Sequence, residues 1–148
     1  MRKKLTIAAV TLAACAGLIA LVILHCAEDR QVESDWRWFA ENIRQGEFDR
    51  AYQRMTQQYR NTHALNQFMT SPWCETNHVV SGSVRHSGVH LVYVTRWSPF
   101  SRRARVVLTT SNMALPLCLE DGFVAVVTRM EKEGERWRVA DVWQTVMR

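Results

Sequence analysis

One stretch of this chain has no charge. Residues 5–24, LTIAAVTLAACAGLIALVIL, carry neither an acidic nor a basic side chain. That excludes an ordinary water-facing element there. The remainder lacks an excess of either sign. The chain as a whole is +5, with 19 basic and 14 acidic residues. Subtracting Arg2, Lys3 and Lys4 leaves 16 basic against 14 acidic residues, or +2. A nucleic-acid reader would need a basic stripe on its folded part, so no nucleic-acid partner is expected. None of the four cysteines has a CxxC or CxxH neighbour, which removes the spacing a zinc site needs. His78, His86 and His90 are close in sequence, but nothing fixes their convergence, and neither metal nor cofactor is expected. No repeat or low-complexity tract is present, which excludes a solenoid.

An apolar run of about 20 residues crosses a bilayer as a helix. Arg2, Lys3 and Lys4 stand before it and Glu28-Asp29-Arg30 follow. By the positive-inside rule the N-terminus is cytoplasmic. Residues 1–27 then form a membrane anchor or signal segment. Residues 28–148 form a domain on the periplasmic or extracellular side of the inner (cell) membrane. A cleaved signal peptide is one rival, although its apolar region is shorter and ends at a small-residue site; His25-Cys26-Ala27 matches that poorly. Leu12-Ala13-Ala14-Cys15 resembles a lipobox and supports a lipoprotein as the other rival. Cys74 and Cys118 belong to the domain. Paired, they would close a loop of about 45 residues, worth about 4 kcal/mol in the chain-entropy model; two separately buried thiols are the alternative.

The domain reads as helices followed by strands. Ser34 suits an N-cap for a helix to about Gln45, with Trp36, Phe39, Ala40 and Ile43 as its inner stripe and Gly46 as its end. A second helix begins near Phe48 and uses Ala51, Tyr52 and Met55, with Tyr59 continuing that face. A short third, about residues 63–69, offers Leu65 and Phe68. From Asn77 the period becomes two. Strands are expected around Val80, Gly82 and Val84; over residues 89–97, apolar on both faces and so central; around Ala104, Val106 and Leu108; and over residues 123–130 and 137–146. Helices first and an antiparallel meander afterwards predict an α+β fold with two to three helices on about five strands.

The pattern Phe39…Ile43…Gly46-x-Phe48-x-x-Ala51-Tyr52…Met55…Tyr59…Leu65…Phe68 resembles the opening of the nuclear transport factor 2-like superfamily. Its small bacterial membrane-anchored or secreted members are the most similar. Gly134-Glu135-Arg136-Trp137-Arg138-Val139 is similar to their last hairpin. The resemblance covers about residues 32–147. It implies a curved antiparallel sheet wrapped round the helices, a cystatin-like cone that sometimes holds a ligand. No catalytic motif of the superfamily's isomerases or dehydratases is present, and fold alone does not choose a function.

Asp141 is the one candidate acid or base. Strict alternation puts Trp137, Val139, Asp141 and Trp143 on one strand face. If that face is the core, desolvation raises the carboxyl pKa and suits proton transfer. Alternatively Asp141 bonds to Arg or backbone, or a bulge turns it outward. Arg96, Trp97, Phe100, Arg102 and Arg103 form a candidate partner patch of the composition interfaces favour. The same arginines also suit a solvated hairpin end or contact with anionic lipid. Of the six tryptophans, Trp36, Trp137 and Trp143 fit core positions, and Trp38 suits either the membrane interface or a neighbouring loop. These features together predict a membrane-anchored, non-enzymatic binding or assembly domain with a protein partner. The alternative is a small-molecule-binding or lyase/isomerase-type enzyme. A pocket holding Asp141 and a histidine would favour the enzyme; an interior filled by Trp36, Phe39, Trp137 and Trp143 would favour the binding domain.

Overall fold

A computed structural model of the chain describes residues 2–71, 74, 92–109 and 123–147. The long helix α1 (Arg2–Gln45) is followed by three short ones, α2 (Phe48–Tyr52), α3 (Gln57–Thr62) and α4 (Leu65–Met69). Four strands come next: β1 (Val92–Thr95), β2 (Arg103–Thr109), β3 (Phe123–Glu133) and β4 (Arg136–Met147). They pair antiparallel in the order β1-β2-β3-β4. The fold is α+β. The strand expected around Val80, together with Cys118, His78, His86 and His90, lies outside the described residues.

The first correction concerns α1. The chain was expected to leave the membrane segment at Glu28-Asp29-Arg30 and start a new helix at Ser34. Instead one helix of 44 residues runs through both regions. No glycine or proline stands between Gly17 and Gly46, so nothing in that span breaks the backbone ladder. Glu33 and Arg37 pair across one turn at 2.7 Å. Ser34 therefore has no helix end to cap. The N-terminal part exposes apolar side chains on all sides, with Leu12 at 74%, Ile19 at 60% and Val22 at 62%. Among the described residues it is the one helix long and apolar enough to cross a membrane. Twenty residues at 1.5 Å each reach about 30 Å, the thickness of a hydrocarbon core.

The C-terminal part of α1 buries Val32, Trp36, Phe39, Ala40 and Ile43, a stripe at spacings of three and four. It ends at Gly46, whose φ of 79° is left-handed. Gly46 N–H donates to the Ile43 carbonyl at 3.1 Å and Glu47 N–H to that of Asn42 at 2.8 Å. These are the two bonds of a Schellman stop, which a glycine satisfies without strain. Ala51, Met55 and Phe68 then enter the core, with Phe48, Tyr52, Tyr59 and Leu65 half-buried around it. Met55 is not helical. The chain turns extended there and pairs with β4: Thr56 N–H donates to the Val139 carbonyl at 2.8 Å and Val139 N–H to that of Arg54 at 2.9 Å. Thr56 caps α3 by accepting from Tyr59 N–H at 3.3 Å.

On the face of the sheet toward α1 lie Ala104, Val106 and Leu108 of β2, Val126, Thr128 and Met130 of β3, and Trp137, Val139 and Val142 of β4. The buried Trp36 indole N–H donates to Thr128 Oγ1 at 3.0 Å, which settles the polar atoms of that layer. Among the described residues, a void of about 10 Å³ lies between α1 and the sheet, lined by Trp36, Phe39, Ile43, Val126 and Val142. Beyond a single water, such a void admits nothing. Cys74 is buried against this core.

Candidate functional site

The end of the sheet nearest Glu28 and Asp29 of α1 is where the expected patch residues gather. Antiparallel pairing places the β1–β2 turn beside the end of β3, through Thr95 opposite Arg105 and Arg103 opposite Glu131. The turn closes where Ser101 N–H donates to the Ser98 carbonyl at 3.1 Å, and Ser101 Oγ accepts from Arg103 N–H at 3.2 Å. At its tip Trp97 is 99% exposed and Phe100 76%. Arg102 and Arg103 are exposed as well. Arg102 donates to the Lys132 carbonyl at 3.1 Å, and Arg103 lies 3.7 Å from Glu131.

Arg96 is placed differently from its neighbours. Its side chain is wholly enclosed, although its backbone reaches the surface. The guanidinium donates through Nε to Asp29 Oδ1 at 2.6 Å and through Nη2 to the His25 carbonyl at 2.8 Å. It also meets the Pro99 carbonyl at 3.2 Å, comes within 4.0 Å of Glu28, and lies 5.9 Å from the Trp137 ring centre. Arg96 thus joins the turn to the first residues of α1 beyond the apolar run instead of facing solvent with Trp97 and Phe100.

Glu28 completes this junction. Its carboxylate accepts from Lys132 Nζ at 2.7 Å and from the Trp137 indole N–H at 3.2 Å. The Lys132 hydrogen bond is the main reason its pKa lies below the ordinary carboxylate value. Burial opposes that shift, and the Trp137 bond and the charges of Lys132 and Arg96 add to it. About two turns along, Asp35 accepts from Trp137 N–H at 3.0 Å and pairs with Arg54 at 3.3 Å. Arg54 in turn lies 4.1 Å over the Trp38 ring. Trp38 stands 14 residues past Leu24 on an unbroken helix, about 21 Å beyond it, and packs under Arg54. Sequence reasoning missed the junction. Its one visible sign was two acidic residues placed directly after an apolar span. Their partners lie 67 and 104 residues away, and no local pattern connects them.

Of the two readings of Asp141, the structure shows the outward one, with a bulge turning the side chain away from the core. The β3–β4 register shifts between Arg129 and Met130: Arg129 faces Asp141 while Met130 faces Val139. Ala140 is the extra residue, and such a bulge reverses the alternation beyond it. Trp137 and Val139 stay inward, Val142 takes the next inward place, and Asp141 and Trp143 move to the outer face beside Arg129 and Val127. Asp141 Oδ1 accepts from Val142 N–H at 2.9 Å. An open groove of about 400 Å³ places it with Tyr59, His63, Arg129 and Glu131. His63 stacks on Tyr59 at 4.3 Å, and burial pushes the Tyr59 hydroxyl pKa up.

No family model, curated protein or solved structure matches this chain. The site itself therefore carries the functional argument. Among the described residues it combines a closely packed contact between α1 and the sheet, an outward carboxylate, and a charged junction that ties the apolar helix to an aromatic turn.

Proposed function

We propose that the chain is a single-pass, membrane-anchored, non-enzymatic binding or assembly domain of the cell envelope. Residues 5–24 hold it in the inner (cell) membrane with Arg2, Lys3 and Lys4 in the cytoplasm. The rest works in the periplasm or outside the cell. Its fold is a nuclear transport factor 2-like cone built on the four-stranded antiparallel sheet. The observation that carries this reading is the packing of Trp36, Phe39 and Ile43 against Val126 and Val142, where the void among the described residues is about 10 Å³; small-molecule sites occupy about 300–1,000 Å³. The unbroken α1 supports an uncleaved anchor, since its turns on either side of His25 share one hydrogen-bonded ladder and Glu28 and Asp29 are bonded into the domain.

Two experiments test it. Alkaline phosphatase fused after Arg148 is expected to be active in intact cells; an inactive fusion would reject the location. A photo-crosslinking residue at Tyr93, Arg105 or Arg129 on the outer sheet face is expected to capture one discrete envelope protein, and no adduct from any of them would reject the assembly role. The groove holding Tyr59, His63 and Asp141 favours the enzyme as second reading. In that case Tyr59→Phe and Asp141→Asn would each abolish the cellular phenotype while leaving crosslinking intact.

A further inference from the structure

We propose that the β1–β2 turn is a second membrane contact, with Trp97 and Phe100 seated in the headgroup zone of the bilayer that residues 5–24 cross and Arg102 and Arg103 directed to lipid phosphates. The inference rests on the anchor reading above and adds a surface to it. Depth is the first argument. His25 directly follows Leu24, the last residue of the uncharged run. Arg96 donates to the His25 carbonyl at 2.8 Å and to Asp29 at 2.6 Å, so the turn is pinned at the level where α1 leaves the hydrocarbon. Direction is the second. The sheet end carrying Lys132 meets Glu28, whereas Val126, several residues back along β3, lines the same small void as Ile43. The strands therefore run with the β1–β2 turn toward the bilayer and their other ends away from it.

Composition is the third argument. Single exposed apolar residues need no explanation, but here the two most exposed aromatic side chains among the described residues, 99% and 76%, stand three positions apart on one turn. Trp is enriched at the membrane interface, and an aromatic tip flanked by cations is how surface-seated elements meet anionic lipid. The charges facing the turn fit that partner. Arg102 and Arg103 are exposed, Lys132 is occupied by Glu28, and Glu131 is the carboxylate nearest Arg103, at 3.7 Å. The buried Arg96 link then has a purpose that a solvated hairpin end would not require: it sets the height of the aromatic tip.

The full chain, reconstituted in vesicles of phosphatidylcholine and phosphatidylglycerol, tests this directly. Tryptophan emission is recorded for the parent and for Trp97→Phe, and the difference isolates Trp97. The expected component is blue-shifted, loses intensity when the lipids carry bromine near the headgroup end of their acyl chains, and resists aqueous acrylamide. Phe100→Trp in the Trp97→Phe chain moves the reporter three residues and is expected to behave alike. A Trp97 component quenched by acrylamide and indifferent to bromine would overturn the proposal. One shielded from both would overturn it in favour of a protein or a second copy over the turn. An alkaline carbonate wash separates the failures: chain released from the vesicles means the anchor reading is wrong, and chain retained with an aqueous Trp97 means only this turn is.

Discussion

Replacing Arg96 by Met keeps much of the side chain's volume and removes its charge. The enclosed guanidinium bonds to Asp29 at 2.6 Å and to the His25 carbonyl at 2.8 Å. Breaking one side of a buried ion pair costs about 3–5 kcal/mol, because the surviving charge stays desolvated. Asp29 keeps 28% of its surface, so water recovers part of that loss and about 2–3 kcal/mol is expected. With roughly 4 °C of melting temperature per kcal/mol for a domain of this size, the midpoint in detergent micelles should fall by about 8–12 °C. Asp29→Leu alone should cost more, about 3–5 kcal/mol, since it strands the enclosed cation. The double variant Arg96→Met/Asp29→Leu removes both charges, and apolar replacements of buried pairs are often neutral or stabilising. It should therefore melt above Asp29→Leu. Additivity of the two single effects within about 0.5 kcal/mol, followed by circular dichroism, would refute the coupling and with it the role of Arg96 as the tie between turn and helix.

Glu28 is held below its ordinary value of 4.5, so its contribution to stability is present above that pH and disappears as pH falls through the lower, folded-state value. Melting curves of the parent and Glu28→Gln should accordingly differ most near neutrality and converge in acid; a gap that widens on acidification would reverse the sign. Phe68 is fully buried against Tyr52 and Tyr59, so Phe68→Ala should cost about 3–5 kcal/mol in denaturant titration, and an unchanged midpoint would show that α4 is misplaced. Asp141→Asn keeps the oxygen that accepts from Val142 N–H and should change stability by no more than about 0.5 kcal/mol. A large loss would return Asp141 to the interior.

Features encoded by neighbouring residues were legible in the sequence. The uncharged run, the Trp36–Ile43 stripe, the Gly46 stop and the strands around Val106, Val126 and Val139 each follow from spacing or one special residue. Three features were not. Ser34 carries a cap signal, but a cap needs a helix end, and the stretch from Gly17 to Gly46 supplies none. For Asp141, counting in twos leaves an inward and an outward reading open, and one extra residue at Ala140 decides for the outward one. That bulge lies next to Val139, which Met130 holds on one side and Met55 on the other; a pairing contributed by three segments leaves no trace in any one of them. Arg96 sits among exposed arginines in sequence, and only the folded chain brings Asp29 and His25 to it.

The continuity of α1 has a mechanical consequence. A domain on a flexible tether wanders, and its orientation is independent of the lipid beneath it. Under the proposed anchoring, the rod that would cross the bilayer is also the rod on which the sheet is packed, so a lean at one end is a lean at the other. Apolar segments tilt when their length exceeds the local hydrocarbon thickness. A thinner bilayer would therefore swing the Gly46 end sideways, and the protein would present its outer sheet face at an angle set by membrane thickness.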